Sequence, residues 1–132
     1  MVISTDDKWI RYLSEAYVGK THDYTLLKSV FPTDKDWFSH IEVRVDLGYQ
    51  GFATDYLCKK AIIPHKKPRN QELTEQQVKE NTQKAKERIY VEHTIGGMKK
   101  YHFLANRLRA KDFVMYNQVL GICAALWNFS IN

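Results

Sequence analysis

The stretch from Asn81 to Lys99 constrains the fold most, because its residues repeat with the spacing of an α-helix. At about 100° per residue, polar side chains fall within a sector roughly 40° wide: Asn81, Arg88, Glu92 and Lys99. Apolar side chains lie to one side of this stripe: Val91, Ile95 and Met98. The pattern predicts a helix that docks by its apolar flank and presents Glu92 at the edge of a cleft. The alternative is a solvated charged face, because ion pairs one turn apart are common on helix surfaces.

Local signals mark the start of this helix and a weak point within it. Thr74 is placed to be the N-cap, and Gln77, three residues later, completes a capping box. Gly96 and Gly97 interrupt the pattern, and each glycine costs a helix about 1 kcal/mol relative to alanine. We therefore expect a bend or a close backbone contact at these glycines.

A second stretch, from Ile41 to Gly51, predicts a strand followed by a loop. Apolar and charged residues alternate as far as Asp46, which is typical of a strand buried on at least one face, and Gly48 and Gly51 end the pattern. Asp46 then lies at the carboxyl end of the strand. Open α/β sheets place functional groups there, because the loops turn and leave a crevice. The alternative role for Asp46 is that of a turn former.

Together these stretches resemble the DDE transposases of bacterial insertion sequences, whose catalytic domain has the ribonuclease-H-like fold. The resemblance rests on Gly19-Lys20-Thr21-His22-Asp23, on Asp46-Leu47-Gly48-Tyr49-Gln50-Gly51, and on Asn81, Ala85, Arg88, Val91, Glu92, His93, Ile95, Gly96 and Lys99. It covers nearly the whole chain. The spacing of Arg88, Glu92 and Lys99 matches the family's signature around its last acidic residue. Many members carry a tyrosine at the position of Ala85, so the resemblance does not transfer a DNA-contacting role to that position.

The resemblance implies a site for divalent metal ions. In the family, two aspartates and one glutamate hold two ions that promote phosphodiester hydrolysis and strand transfer. Asp46 is similar to the second aspartate and Glu92 to the glutamate, so both are implied as catalytic residues and as ligands of Mg²⁺ or Mn²⁺. Carboxylates suit this role because magnesium prefers oxygen donors. Arg88 and Lys99 are implied as supporting residues that neutralise phosphate charge or orient Glu92.

The first aspartate of the family has no counterpart in this sequence, because its strand would precede the segment from Val2 to Tyr17. Asp6 and Asp7 lie in a stretch with the composition of a turn, and we expect them to point to solvent. The resemblance therefore implies the carboxyl-terminal part of a transposase, from a split, frameshifted or truncated reading frame, that is inactive alone. Helix capping is a simpler role for Asp23 than a catalytic dyad with His22.

The charge of the chain favours an acidic partner. Its formal net charge is +5, and nucleic acid is the commonest partner of basic proteins. Several basic residues are predicted to contact DNA phosphates: Lys66, Lys67, Arg69, Lys100, Arg107 and Arg109. A solvated loop is the alternative for the residues near Pro68. Cys58 and Cys123 lack neighbours at metal-ligand spacing, which indicates reduced thiols in a cytosolic protein. No membrane span or signal peptide is expected, and the expected setting is the bacterial cytoplasm at the nucleoid.

The remaining patterns complete an α/β fold. They predict a strand over 9–17, a helix over 22–30 capped by Thr21 or Asp23, a helix or turn over 52–60, an edge strand over 61–64 and a buried helix over 114–129. A hydrophobic content of 44% favours one ordered domain, residues 1–132, over a disordered chain. The expected architecture is an incomplete ribonuclease-H-like fold: a mixed sheet without its first strand, flanked by helices.

Two other functions remain open at this point. The chain could be a non-enzymatic basic module, either a DNA-binding remnant or a regulator that associates with a full-length transposase, since loss of a central strand leaves its neighbours unpaired. It could also be an unrelated α/β domain whose motifs match by chance. The partners implied by the resemblance are DNA, an upstream transposase fragment or a full-length transposase, and a second copy of this chain in a homo-oligomer.

Overall fold

The structure is a computed structural model that describes residues 1–17, 21–101 and 113–132. In chain order its elements are β1 (Val2–Ser4), β2 (Ile10–Leu13), α1 (Asp23–Val30), β3 (Phe38–Arg44), α2 (Phe52–Asp55), β4 (Cys58–Ile62), α3 (Glu75–Lys99) and α4 (Phe113–Ser130). They form two compact units. The terminal unit comprises Met1–Lys20 and Ile89–Asn132, and the central unit comprises Thr21–Arg88, so the division falls within α3. Among the described residues, none of the helices combines the length and the hydrophobicity that a membrane crossing requires.

In the terminal unit, β1 and β2 form an antiparallel hairpin in which Ile3 lies opposite Tyr12. The connecting turn, over residues 5–9, is closed by a hydrogen bond from the Thr5 N–H to the Trp9 carbonyl, 3.0 Å. Lys8 has a φ of 69°, which is the left-handed conformation that turns use. The predicted turn over Ser4 to Lys8 is confirmed, and the strand predicted over 9–17 is shorter than expected.

Helix α4 supplies hydrogen bonds to the edge of this hairpin. The Asn128 side chain accepts from the Ile10 N–H at 2.8 Å and donates to the Ile10 carbonyl at 3.0 Å. Asn117 accepts from the Ala16 N–H at 2.9 Å. Ile10 packs with Met98 and Ala124 in the core of this unit. The amide side chains of α4 therefore replace part of a strand that would otherwise pair with the edge of β2.

Within the terminal unit, α3 and α4 approach each other closely at Gly97. A Cβ atom on Gly97 would overlap the Trp127 ring, whereas a Cβ on Gly96 would meet no atom within 4 Å. The Trp127 indole N–H donates to the Lys8 carbonyl at 2.9 Å, which fixes the ring. The predicted close backbone contact is thus confirmed at Gly97. The predicted apolar flank of α3 is also confirmed, because Val91 and Ile95 are partly buried and Met98 is fully buried.

In the central unit, β3 and β4 form a two-stranded parallel sheet. Phe38 lies opposite Cys58, and at the other end Arg44 lies opposite Ile62. An aromatic cluster supports the start of this sheet: Phe38, Phe52 and Tyr56 pack with ring centroids 4.9 to 5.4 Å apart. Phe52 is only 1% exposed. The aromatic rings fill the amino end of the sheet. The polar residues that follow each strand lie at the opposite, carboxyl end.

Two helix starts in this unit follow from local chemistry. At the start of α3, the Thr74 N–H donates to the Gln77 side chain at 3.0 Å, and the Gln77 N–H donates to the Thr74 hydroxyl at 3.2 Å, which confirms the predicted capping box. The N-cap of α1 is His22, whose Nδ1 accepts from the Tyr24 N–H at 3.3 Å. The prediction of Thr21 or Asp23 as the cap was wrong, because Asp23 is already the first helical residue.

The strands differ from the predicted pattern in position and in pairing. The β3 strand begins at Phe38, three residues before the predicted start at Ile41. The β4 strand begins at Cys58, inside the predicted helix or turn over 52–60, because α2 already ends at Asp55. Both starts are fixed by the aromatic cluster rather than by alternation along the strand. The structure is α/β as expected, but over the described ranges the strands form two small sheets, β1–β2 and β3–β4, where one mixed sheet was predicted.

The prediction that the last helix is buried was largely wrong. In α4 only Cys123 and Ala124 are fully buried, while Phe129 is 80% exposed and Val114 is 66% exposed. The helix has 18 residues, whereas the strands it packs against have three and four. A hairpin of that size covers one narrow face of such a helix, so several of its apolar residues remain exposed, Val114 and Phe129 among them.

Candidate functional site

The candidate site lies in the central unit, at the carboxyl ends of β3 and β4. Asp46 follows the last residue of β3 by two positions and begins a short 3₁₀ turn, Leu47–Tyr49. Its Oδ1 accepts the Leu47 N–H at 2.7 Å, and its side chain is 56% exposed. Asp46 therefore shapes the turn, which was the alternative role predicted for it, and its carboxylate lies near the end of the strand, as expected.

The carboxylate of Asp46 forms an ion pair with the Arg88 guanidinium of α3. Two residues earlier on the strand, Arg44 Nε lies 3.3 Å from Glu87 Oε2 on the same helix. In the first pair the acidic residue belongs to the strand end and the basic residue to α3, whereas in the second pair the arrangement is reversed. Hydrogen bonds from Gln83 and then from Arg44 hold the pKa of Glu87 below its usual value.

The segment after β4 is fastened to the same helix. Asn81 accepts from the His65 N–H at 2.7 Å and donates to the His65 carbonyl at 3.0 Å. Lys84 donates to the Ile63 carbonyl at 2.9 Å. His65 Nε2 lies 2.6 Å from Glu80 Oε2, and hydrogen bonds from Gln76 and then His65 lower the pKa of Glu80. Residues on successive turns of α3 therefore bind the segments at the ends of both strands.

A cavity of about 220 Å³ opens between these strand ends and α3. Its walls are mainly apolar, with Val45, Ile62, Pro64 and Ala85 among them. Its charged lining residues are Arg44, Asp46, Lys84 and Arg88. The cavity lies at the carboxyl ends of parallel strands, which is the position where open α/β sheets bind ligands.

Tyr49, in the turn that follows Asp46, packs against Tyr24. The rings of Tyr24 and Tyr49 pack edge to face, with centroids 5.8 Å apart. Burial, with the negative charges of Asp23 and Asp46, raises the pKa of Tyr49 to about 12. Tyr24 donates its hydroxyl proton to Asp55 Oδ2 at 2.6 Å. Both phenols are therefore protonated at neutral pH, and the negative charges near Tyr49 belong to the carboxylates.

Comparison with known proteins identifies the family. A family model for DDE superfamily endonucleases matches residues 1–128. This chain belongs to the DDE superfamily endonucleases. A search of curated proteins and a search of solved structures found no significant match. The resemblance inferred from the motifs around Asp46 and Glu92 is thereby confirmed at the level of the family, and the family implies a transposase-like nuclease that acts on DNA.

The structure places the residues implied by the family in both units. Asp46 and Arg88 lie in the central unit, whereas Glu92 and Lys99 lie further along α3, in the terminal unit, with exposed side chains. The predicted DNA contacts Lys66, Lys67, Arg69 and Lys100 are exposed, as phosphate contacts must be. Arg107 and Arg109 lie outside the described residues. Asp6 and Asp7 are exposed, as predicted.

DDE endonucleases generally use divalent metals, which bind to oxygen atoms such as those of carboxylates. Asp46 fits this chemistry as one ligand, because its carboxylate is a hard oxygen donor and is half exposed at the edge of the cavity. Within the described ranges, no three acidic, histidine or cysteine side chains are grouped so that they could hold an ion.

Some residues of the site were not predicted from the sequence. Lys84 and Ala85, together with Asn81 and Arg88, form a row spaced i, i+3, i+4, i+7 that faces the strand ends. This spacing is typical of a helix face that docks against other elements. Three of the four residues are polar, however, so a pattern of apolar residues does not reveal the row. Glu87 was missed because its partner, Arg44, is distant in sequence.

Proposed function

We propose that this chain takes part in DNA transposition as a component of a divalent-metal-dependent nuclease, with Asp46 and Glu92 as carboxylate ligands. The observation that carries the proposal is the position of Asp46: a family-motif aspartate lies at the carboxyl end of a parallel strand and pairs with Arg88, the motif arginine one helical turn before Glu92. The match to the endonuclease family over residues 1–128 supports it.

In this proposal the protein groups have separate tasks. Asp46 and Glu92 would hold Mg²⁺ or Mn²⁺, which when bound activates the attacking hydroxyl or water and stabilises the leaving oxygen. Lys99 would neutralise phosphate charge near Glu92. The exposed basic residues Lys66, Lys67 and Arg69 would hold the DNA backbone by its phosphates, without reading sequence.

We further propose that the third carboxylate of the site comes from another polypeptide or segment. The motifs of this chain match the second and third acidic residues of the resembled family, and Asp6 and Asp7 belong to neither motif. They lie in the turn that follows β1, where the Thr5 hydroxyl and the Trp9 N–H donate to Asp7. These hydrogen bonds, Thr5 first, hold the pKa of Asp7 below its usual value, as expected of a turn carboxylate. The same proposal assigns this chain an incomplete ribonuclease-H-like fold, in which the sheet lacks its first strand.

The second candidate function is a DNA-binding regulator without catalytic activity. It is favoured by the exposure of the basic loop after β4, which can contact phosphate whether or not a metal site is assembled. A metal-dependent nicking assay separates the two functions. The nuclease proposal requires plasmid nicking that depends on Asp46 and Glu92 once the missing carboxylate is supplied, whereas the regulator binds DNA and never nicks it.

A further inference from the structure

Helix α4 carries no charged side chain, although 27% of the residues of the chain are charged. Only Cys123 and Ala124 among its 18 residues are fully buried, and Ala124 packs with Ile10 and Met98 in the core of the terminal unit. The side of the helix that faces away from this core is therefore a long surface without charge.

The exposed residues of this surface form one stripe along the helix. At about 100° per residue, six of them fall within a sector roughly 100° wide: Val114, Gln118, Gly121, Ile122, Ala125 and Phe129. Met115 and Leu126 extend the apolar area at one border of the stripe. At typical side-chain areas, the exposed apolar surface is on the order of 500 Å², which is as large as the largest patches on most monomeric proteins.

The stripe is symmetric about its centre. Val114 and Phe129 lie equally far from the midpoint between Gly121 and Ile122. A two-fold axis at this midpoint would place Phe129 of one antiparallel helix opposite Val114 of the other, and Ile122 opposite Gly121. In both pairs a larger side chain meets a smaller one, so the stripe is complementary to itself.

Gly121 provides space for such packing. A Cβ atom on Gly121 would meet no atom within 4 Å, and Gly121 and Ala125 line a cavity of about 420 Å³ beside β2. The next residue, Ile122, is 57% exposed. In paired helices, a side chain of one helix packs into the space between side chains of the other. Helix α4 therefore offers a protruding side chain and a recess at neighbouring positions.

We propose that this stripe is a self-association surface, to which a second copy of the chain binds through its own α4 in antiparallel orientation. The net charge of +5 opposes association of two copies, but the uncharged stripe lets them meet without like charges face to face. DNA and membrane surfaces fit the stripe poorly, because they are bound through lysine and arginine side chains, which α4 lacks. The area is smaller than the roughly 800 Å² per partner of a standard interface, so the dimer should be reversible.

The test is sedimentation velocity of the full chain over a range of protein concentrations. DNA and metal are left out, so the result does not depend on the nuclease proposal. Ile122→Glu places two like charges near the two-fold axis and should weaken dimerisation by roughly tenfold or more. The matched control is Leu57→Glu, which makes the same change at a residue of the central unit that is 77% exposed. Circular dichroism checks that each variant is folded.

A second variant tests the recess without adding charge. Gly121→Leu fills the open space and should weaken dimerisation while the monomer stays folded, because the added side chain meets no atom of its own chain near the Cβ position. Gly96→Leu, at an exposed glycine of α3 with the same open surroundings, is its control and should dimerise like the unmodified chain.

A charge pair tests the antiparallel orientation. Val114→Lys and Phe129→Glu should each weaken dimerisation, and the double variant should recover part of the loss, because each lysine then faces a glutamate of the other copy. A monomer at every concentration would overturn the proposal. Equal dimerisation of Ile122→Glu and Leu57→Glu would also overturn it, since the contact would then lie on another surface. A double variant that associates no better than the single variants would overturn the antiparallel arrangement.

Discussion

Asn81 on α3 binds both backbone groups of His65: its side-chain oxygen accepts the N–H at 2.7 Å, and its nitrogen donates to the carbonyl at 3.0 Å. This arrangement reproduces the hydrogen bonding that a neighbouring strand would give. It fixes the segment that leaves β4 and precedes the basic loop of Lys66, Lys67 and Arg69. The family-motif asparagine is therefore a structural link between the long helix and the predicted DNA contacts.

Replacement of Asn81 by alanine should destabilise the chain by about 1 to 3 kcal/mol, because a partly buried N–H and carbonyl lose their partner together. Urea unfolding followed by circular dichroism measures this change. Asn70→Ala, at an exposed position of the basic loop, is the control and should leave the unfolding midpoint unchanged. Equal midpoints for Asn81→Ala and the unmodified chain would show that the link to His65 contributes nothing to stability.

The two adjacent glycines of α3 should respond oppositely to alanine. Gly97→Ala would place a methyl group on the Trp127 ring and should cost about 1 to 3 kcal/mol of unfolding free energy. Gly96→Ala meets no atom within 4 Å and should stabilise the helix by up to about 1 kcal/mol. Thermal unfolding of both variants measures the difference. A Gly97→Ala variant as stable as Gly96→Ala would contradict the close packing of α3 on Trp127.

These comparisons show which features follow from sequence and which do not. The capping box of Thr74 and Gln77 was predictable because its partners are three residues apart. The close approach at Gly97 was predictable because glycine destabilises a helix, so its presence indicates a contact that a larger side chain would prevent. The identity of the residue approached, Trp127, was not, since it depends on how α3 and α4 pack. Hydrophobicity alone predicted a buried α4, but burial depends on how much surface its neighbours can cover.

The candidate site was likewise only partly predictable from the sequence. A strand-end position for Asp46 followed from alternation and glycines, which are local signals. Its pairing with Arg88 did not, because the two residues are distant in sequence and lie on different elements. The opposite polarity of the Arg44–Glu87 and Asp46–Arg88 pairs appears only when the strand and the helix are placed side by side.

DNA binding should be weak, independent of sequence and steeply dependent on salt. Fluorescence anisotropy with a labelled duplex should show affinity falling between low and moderate salt, since each neutralised phosphate releases counterions. The double variant Lys66→Ala, Arg69→Ala should lower the slope of log affinity against log salt by about 1 to 2.

The matched control for this measurement is Lys35→Ala, Lys59→Ala, which removes the same charge from exposed positions elsewhere in the central unit. It should change the slope less than the loop variant. If both double variants give the same slope, net charge alone explains binding and the loop has no specific role. Affinity that does not change with salt would refute phosphate contact altogether.

Acidification should destabilise the central unit through Asp55. A hydrogen bond from the Tyr24 hydroxyl, with a further contribution from Lys28, holds the pKa of Asp55 below its usual value. The folded pKa lies below the unfolded one, so this stabilisation is complete above the unfolded value of about 4 and is lost as pH falls through the folded value.

Melting temperatures measured from pH 6 down to about pH 2.5 test this dependence. Asp55→Asn should lower the melting temperature at pH 6 and should flatten the decline on acidification. Asp34→Asn, which changes an exposed carboxylate of the same unit, is the control and should reproduce the profile of the unmodified chain. Identical profiles for Asp55→Asn and Asp34→Asn would argue against a stabilising role for the Tyr24–Asp55 hydrogen bond.

Asp46 and Glu92 should approach closely enough to share metal ions. Two divalent ions and their ligand bonds can bridge carboxylate oxygens separated by no more than about 8 Å. A crystal structure of the chain grown with Mn²⁺, with the ion located by anomalous scattering, measures this separation. Well-ordered side chains whose oxygens lie much further apart would count against a common metal site.

The most direct test of the account is nicking of supercoiled plasmid in the presence of Mg²⁺ or Mn²⁺. One of three carboxylates is proposed to come from elsewhere, and a metal pair that lacks it should not assemble, because the ions would be held mainly by water. We therefore predict no nicking by the chain alone. Nicking should appear when a strand-forming segment with an aspartate is joined ahead of Met1, and should disappear again in Asp46→Ala and in Glu92→Ala. Nicking by the chain alone that is lost in both variants would contradict the need for a supplied aspartate, and nicking that survives either substitution would contradict the central claim that Asp46 and Glu92 hold the metal.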